Sequence, residues 1–410
     1  MAARGALHLA LDALAWPFTR ARLAPGALID RARKRTGLRN FGPDGPFEDG
    51  LSVLCESLEE EAALSPLGRF LIGSMLGSAL EVQLKLHDAL MQDPSILDRP
   101  VSAPLIVIGM PRTGTTILHE LLALDPANRC PLSWEVAHPF PLAPSVAGQP
   151  DPRIAMTVRE LELSERLMPG LQAMHRVGAE LPQECVGITA FAFGSMQYNT
   201  VLHIPRYARW LREEADHDRL YAFHRRFLQY LQASRPGPRW ALKSPAHLWQ
   251  LPAMLRAYPD AQLVQTHRDP LSIVSSLASM LPVLRGAYAA KVDRYGVARE
   301  WADECVSALE ASMVARKAGS IPAAQVVDLQ FRDFMRDPAS AVSGIYEAFG
   351  YRFETDFADR IAAYIAANPA GGSKGHRHGF ADTGLDGEAM RQRVSPYQTY
   401  FGVQNDPGNP

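Results

Sequence analysis

The apolar run Leu105-Ile106-Val107-Ile108 meets Gly109-Met110-Pro111-Arg112-Thr113-Gly114-Thr115-Thr116 and then a helical stretch from Ile117 to Leu124. A short continuous apolar run closed by glycine reads as a strand buried on both faces. The order strand, tight loop, helix points backbone N–H groups and a helix N-terminus at one spot, and such a spot attracts an anion. Gly109 and Gly114 permit the close turn, while Arg112 and the hydroxyls of Thr113, Thr115 and Thr116 can add to the backbone donors. The triphosphate-binding pattern GxxxxGK[ST] requires Lys where this chain has Thr115, and that Lys serves the β- and γ-phosphates. ATP and GTP are therefore disfavoured. The dinucleotide pattern GxGxxG fails because Pro111 stands where its second glycine belongs.

Further strands read at Arg239–Leu242, Ala261–Thr266 and Ala324–Leu329, with a helical pattern between the first two from His247 to Ala257. Strands alternating with helices predict an α/β fold, a central parallel sheet with helices on both faces. Residues 1–100 read as an N-terminal helical region broken by the Gly/Pro-rich stretch Asn40–Pro46, with long helical periodicity from Ser65 to Met91. The main domain is expected over 101–400, with a tail at 401–410. Within it, residues 150–235 form a helical insertion carrying Phe191, Phe193, Tyr198, His203, Tyr207 and Trp210, a candidate roof over an acceptor site or the insertion's own core.

Composition narrows the partners. The 42 basic and 44 acidic residues give a net charge of −2, hence no broad field for nucleic acid, so anion binding must be local. Cys55, Cys130, Cys185 and Cys305 are too scattered for a CxxC motif and too sparse for a disulfide framework, which favours a reducing cytoplasm. No run reaches the roughly 18 to 20 apolar residues of a membrane span. The first twenty residues are apolar but interrupted by His8 and Asp12. They read as an amphipathic helix that either packs on the main domain or touches a membrane peripherally.

Pro111-Arg112-Thr113-Gly114-Thr115-Thr116 resembles the 5′-phosphosulfate loop of sulfotransferases that use 3′-phosphoadenosine 5′-phosphosulfate (PAPS), where the motif reads PRSGTT or PRTGTT. Arg268, with Ser276 eight positions on, is similar to that family's 3′-phosphate motif: an Arg offers a planar fork to a phosphate, and a Ser early in the next helix adds a hydroxyl. Trp240-Ala241-Leu242-Lys243-Ser244-Pro245 resembles the Lys-x-Pro turn of the tyrosylprotein and other Golgi-type members, in which the Lys touches the transferring group. Gly371-Gly372-Ser373-Lys374-Gly375-His376 looks like the loop with which many members close over PAPS, Lys374 and Gly375 being its phosphate donors. A bacterial member of this P-loop-like family is implied.

The resemblance implies in-line transfer of a sulfuryl group from PAPS to an acceptor hydroxyl, releasing PAP, with Arg112 and Lys243 stabilising charge at the reacting group and no metal required. A hydroxyl that attacks sulfur must lose its proton, so a base is needed. Glu135 is the first candidate, a little later in the chain than the family's base Glu; His138, Glu180, Glu184 and His247 are rivals. The acceptor is a small molecule, lipid or glycoconjugate bearing a free hydroxyl. Two alternatives stay open at this point: a P-loop kinase or hydrolase with an aberrant loop, and a nucleotide-binding protein without turnover.

Overall fold

The computed structural model describes residues 6–19, 22–142, 148–170, 172, 176–368 and 379–409. Lys374 and Gly375 lie outside them. The chain divides into two compact units, each assembled from separate stretches: 1–100 with 131–235 and 281–293, and 101–130 with 236–280 and 294–410. The N-terminal helices thus share a unit with the insertion, whereas the sequence alone suggested that 1–100 stands apart.

The second unit holds a five-stranded parallel sheet: β1 (Leu105–Ile108), β2 (Asn128–Arg129), β3 (Arg239–Lys243), β4 (Gln262–His267) and β5 (Val326–Gln330), in the order β2-β3-β1-β4-β5. All four residues of β1 are buried, as expected of a central strand covered on both faces. On one face Leu105 and Val107 pack with Ala241, Val264, Leu118 and Phe357 from strands and helices. On the other, Arg316 of the helix Arg294–Lys317 reaches Gln265 of β4. β5 starts at Val326 and not at Ala324, because a 3-10 turn led by Pro322 occupies Ala323–Gln325. The two-residue β2 was not foreseen; it is polar and exists only by pairing with Arg239 and Trp240.

The first unit is helical. Its long helix Pro66–Gln92 begins where Ser65 accepts from the Gly68 N–H and Pro66 supplies a preset φ. Helix Glu48–Glu60 meets the insertion closely: a side chain at Gly50 would come within 2.9 Å of the Phe193 carbonyl and 3.0 Å of the Trp210 ring. Phe193, Tyr198 and Tyr207 are fully buried, and the Tyr207 hydroxyl takes the Ser195 N–H and donates to the Phe193 carbonyl. These aromatics are the unit's own core. Gln83 donates to the Phe191 carbonyl, and Arg219 reaches Asp49, so the first hundred residues supply the other half of that core. Among the described residues, no helix is long and apolar enough to cross a membrane.

Candidate active site

In an open parallel sheet, ligands bind outside the carboxyl ends of the strands where the connections diverge. Here β1 lies between β3 and β4, and the loop after β1, Lys243 ending β3 and Arg268 following β4 all leave that edge. Gly109 has φ +143°, and a side chain there would sit 2.1 Å from Thr266 Oγ1, so only glycine fits. Gly114 has φ +90° and opens the helix Thr115–Leu122. Arg112, at φ +73°, holds a left-handed conformation without being glycine, a cost typical of sites where function dictates backbone shape.

The side chains converge. Arg112 Nε donates to Ser276 Oγ at 2.9 Å, and Arg268 Nη1 donates to the Arg112 carbonyl at 2.9 Å. Arg268 is also held by Asp406, with Nε 3.0 Å from Oδ2, and by the Phe331 ring, whose centroid lies 4.3 Å from the guanidinium carbon. Burial, and then the positive charge of Arg268, pull the pKa of Arg112 below its ordinary value. Two cations set together in partly buried surroundings repel each other, and an anion between them relieves that repulsion. Arg268 also lines a cleft of about 280 Å³ with His267, Asp269, Phe331, Arg332 and Asp406.

Lys243 is paired in register with Val107, and its Nζ lies 3.4 Å from Thr116 Oγ1. The Lys-x-Pro turn is thereby set beside the first turn of the phosphate-loop helix. Thr115 is buried within that turn. The Thr113 hydroxyl departs from expectation: it donates to the Met110 carbonyl at 2.7 Å and lies 2.6 Å from Thr266 Oγ1, so it holds the loop's shape. This leaves the Thr113 backbone, and not its hydroxyl, to address a ligand.

Glu135 belongs to the other unit. It is buried, takes the Leu132 N–H on Oε2 at 2.9 Å, and has Arg235 Nη1 3.8 Å from Oε1. This is a helix-start carboxylate, for the short helix Ser133–Ala137. Of its rivals, His138 lies 3.1 Å from Glu160, Glu180 is exposed, and Glu184 precedes the helix Cys185–Ala190. His247, buried in the sheet unit, opens the helix that follows the Lys243 turn.

Sequence reasoning missed the C-terminal tail. Asp406 bridges Arg268 and Arg332, its backbone N–H donates to Asp269, and Asn409 donates to Asp269 and Ser272. Asp269 also receives Arg391 at 2.6 Å, which gives this carboxylate an anchoring role. Phe331 and Arg332, just past β5, could have been found as one more carboxyl strand end; no local signal marked Asp406. Among the described residues no cluster of His, Cys, Asp and Glu is arranged to hold a metal.

Residues 104–355 match the profile of the sulfotransferase family. Over 305 residues, 72% of this chain and 74% of the relative, the sequence is 22% identical to the omega-hydroxy-beta-dihydromenaquinone-9 sulfotransferase Stf3 of Mycobacterium tuberculosis. Among solved structures, sulfotransferase STF9 from Mycobacterium avium superposes with a TM-score of 0.81 at 28% identity, covering 93% of this chain and 98% of that one. Sulfotransferase STF1 from Mycobacterium tuberculosis does so at 0.79 and 30% identity, covering 92% and 100%. With a profile match over more than half its length and relatives alike along nearly all of it, the chain belongs to the sulfotransferase family and is an enzyme of that kind.

Proposed function

We propose that the donor is PAPS and the acceptor a hydroxyl on a lipid-like small molecule. The observation that carries the donor assignment is the pairing of Arg112 with Arg268 beside a glycine-shaped loop and a helix N-terminus. A nucleotide with a phosphosulfate at one end and a 3′-phosphate at the other supplies two anionic groups to such an edge. In this reading the backbone N–H groups of 112–116, Thr115, Thr116 and Lys243 take the phosphosulfate, while Arg268 and Ser276, linked through Arg112, take the 3′-phosphate. Lys374 and Gly375 would close over the nucleotide. The menaquinone-derived acceptor in the name of one relative supports an apolar alcohol here. A cytoplasmic, bacterial setting belongs to the same reading.

The acceptor oxygen forms a bond to sulfur as the bond from sulfur to the bridging oxygen of the 5′-phosphate breaks. PAP leaves with that electron pair, and the acceptor's proton goes to a base. Lys243 and the loop's N–H groups face the charge that grows on the bridging and sulfuryl oxygens, a stabilisation larger in the transition state than before it. We assign the base to Glu135. His247 is a second reading, favoured by its place in the same unit as Lys243, at the start of the helix after that turn.

The test is incubation of the purified protein with PAPS labelled in its sulfuryl group and extracts of small molecules and lipids, followed by mass spectrometry. A product heavier by one SO₃ group, formed together with PAP, is expected. Failure to bind PAP in calorimetry, or consumption of ATP with Mg²⁺ in place of PAPS, would overturn the donor assignment.

A further inference from the structure

The N-terminal helix Ala6–Ala15 is inverted relative to an ordinary surface helix. Its buried positions are His8 and Ala15, and the Asp12 carboxylate turns inward to accept the Leu67 N–H at 2.9 Å. Its exposed side is apolar throughout: Leu7, Leu9 and Leu14 are 46%, 61% and 71% exposed, with exposed alanines 10 and 13 among them, and Trp16 at 60% just beyond. Phe70, at 49%, adds to the exposed apolar area on the long helix against which this one packs. A few scattered apolar side chains on a surface need no explanation, but a helix face without any polar group marks an interaction site.

Charge chooses between occupants. Arg22 is exposed soon after Trp16, and the next helix, Pro25–Thr36, which packs on the same long helix, exposes Arg31, Arg33, Lys34 and Arg35 against one carboxylate, Asp30. The contacts of Arg33 with Asp30 and of Arg35 with Glu81 involve highly exposed arginines and offset little of that charge. Arg31 and Lys34 have no ion-pair partner among the described residues. A second copy meeting this patch across a two-fold axis would bring identical cationic clusters together. An anionic surface with an apolar interior suits both features.

We infer that the apolar face of Ala6–Ala15, with Trp16 and the basic residues of Arg22–Arg35, docks the protein on the surface of an anionic lipid membrane. Ten helical residues reach about 15 Å, half the roughly 30 Å hydrocarbon thickness, so the helix lies in the interface and does not cross. Trp at its end is the side chain that settles at the headgroup level. Docking of this kind would deliver the enzyme to a membrane-borne acceptor, yet it stands on the helix and its charges and is independent of the donor and acceptor assignments.

The experiment is sedimentation of the full chain with vesicles of phosphatidylglycerol and phosphatidylcholine, and with phosphatidylcholine alone. Binding to the anionic vesicles is expected, weaker on the neutral ones, and weakening as salt rises from about 0.05 to about 0.5 M. A Leu9→Glu/Leu14→Glu variant should lose at least about tenfold in partitioning, by withdrawal of two leucines and addition of two charges. An Arg31→Glu/Lys34→Glu variant should lose the preference for phosphatidylglycerol. Melting temperature and PAP affinity should match the parent in both variants, which separates lost docking from lost folding. The inference is overturned if the parent binds neither vesicle, if the Leu9→Glu/Leu14→Glu variant binds as well as the parent, or if sedimentation velocity shows a dimer that this variant abolishes.

Discussion

The carboxyl edge of the sheet half-buries Arg112 and Arg268, the turn Pro131–His138 buries Glu135, and the two regions satisfy these charges in opposite ways. At the sheet edge, Arg112 is drawn to Ser276 and Arg268 to the Arg112 carbonyl, so two like charges are held close at an electrostatic cost that Asp406, on Arg268, offsets only in part. In the turn, Glu135 takes the N–H of Leu132, three residues back, and has the Arg235 guanidinium 3.8 Å away, so opposite charge and its own helix start both answer its burial. A cluster that the fold itself does not require points to a ligand. A buried group that its own helix requires must show its chemistry in solution.

The largest effect should therefore be sought at the group whose role the fold explains best. We expect Glu135→Gln to cut turnover about 10²- to 10⁴-fold, the range for removing a general base, with PAP affinity unchanged. Glutamine keeps one acceptor oxygen for the Leu132 N–H, so a purely helix-starting Glu135 would leave kcat intact with a small shift in Tm. Should kcat survive while His247→Asn is inactive, the base moves to the sheet unit, and the polar groups of the turn are structural without exception.

Lys243→Ala comes next. Its ammonium ends β3 near Thr116, and in the proposed reaction it would face charge that develops only as sulfur changes partners, so kcat should fall about 10²- to 10³-fold, as for loss of one oxyanion-type donor. Affinity for PAP, which lacks the transferring group, should change much less. Equal losses in both would make Lys243 a ground-state phosphate ligand.

How far the sequence revealed each region follows the distance over which its interactions act. The apolar run Leu105–Ile108 announces a central strand because burial on both faces demands it, and the loop after it declares its glycines through conformations only glycine tolerates. Lys243 and Arg268 stand at, or just past, strand ends, whereas Ser276, inside the helix Pro270–Gly286, was singled out only by its motif spacing from Arg268. The partition into units was not legible: that Gly50 must make room for the Phe193 carbonyl is a packing fact between stretches far apart in the chain. Nor could local pattern show that the Thr113 hydroxyl would close onto Met110 and Thr266, or that Asp12, which interrupts an apolar helix, would turn inward to Leu67.

Arg268→Ala should act through binding alone. The proposed contact of Arg268 with the 3′-phosphate would be present before and during the reaction, so its loss should weaken PAPS and PAP about equally, by roughly 1.5 to 3 kcal/mol or about 10- to 150-fold, with kcat nearly unchanged. Calorimetry with PAP checks this. Unaltered affinity would mean that the guanidinium serves Asp406 and the Arg112 carbonyl, in which case the sheet edge resembles the turn after all.

Asp406 sharpens the comparison at its smallest scale, because it is a carboxylate placed inside the cationic cluster. Burial alone would raise its pKa, but hydrogen bonds from the Ser272 hydroxyl and from Arg268 and Arg332 hold it below the usual carboxylate range, so it is ionised at neutral pH. Two effects on an incoming phosphate then compete: Asp406 fixes the Arg268 fork through Nε, and its charge repels the ligand. Asp406→Asn keeps an acceptor for Arg268 and removes the charge, whereas Asp406→Ala removes both. If orientation dominates, Ala should weaken PAP binding by about two- to fivefold, the scale of losing a modest ion pair, while Asn binds as well as the parent or somewhat better. Tighter binding in both variants would instead make Asp406 a brake on the 3′-phosphate site, with Phe331 and the Arg112 carbonyl sufficient to aim the arginine.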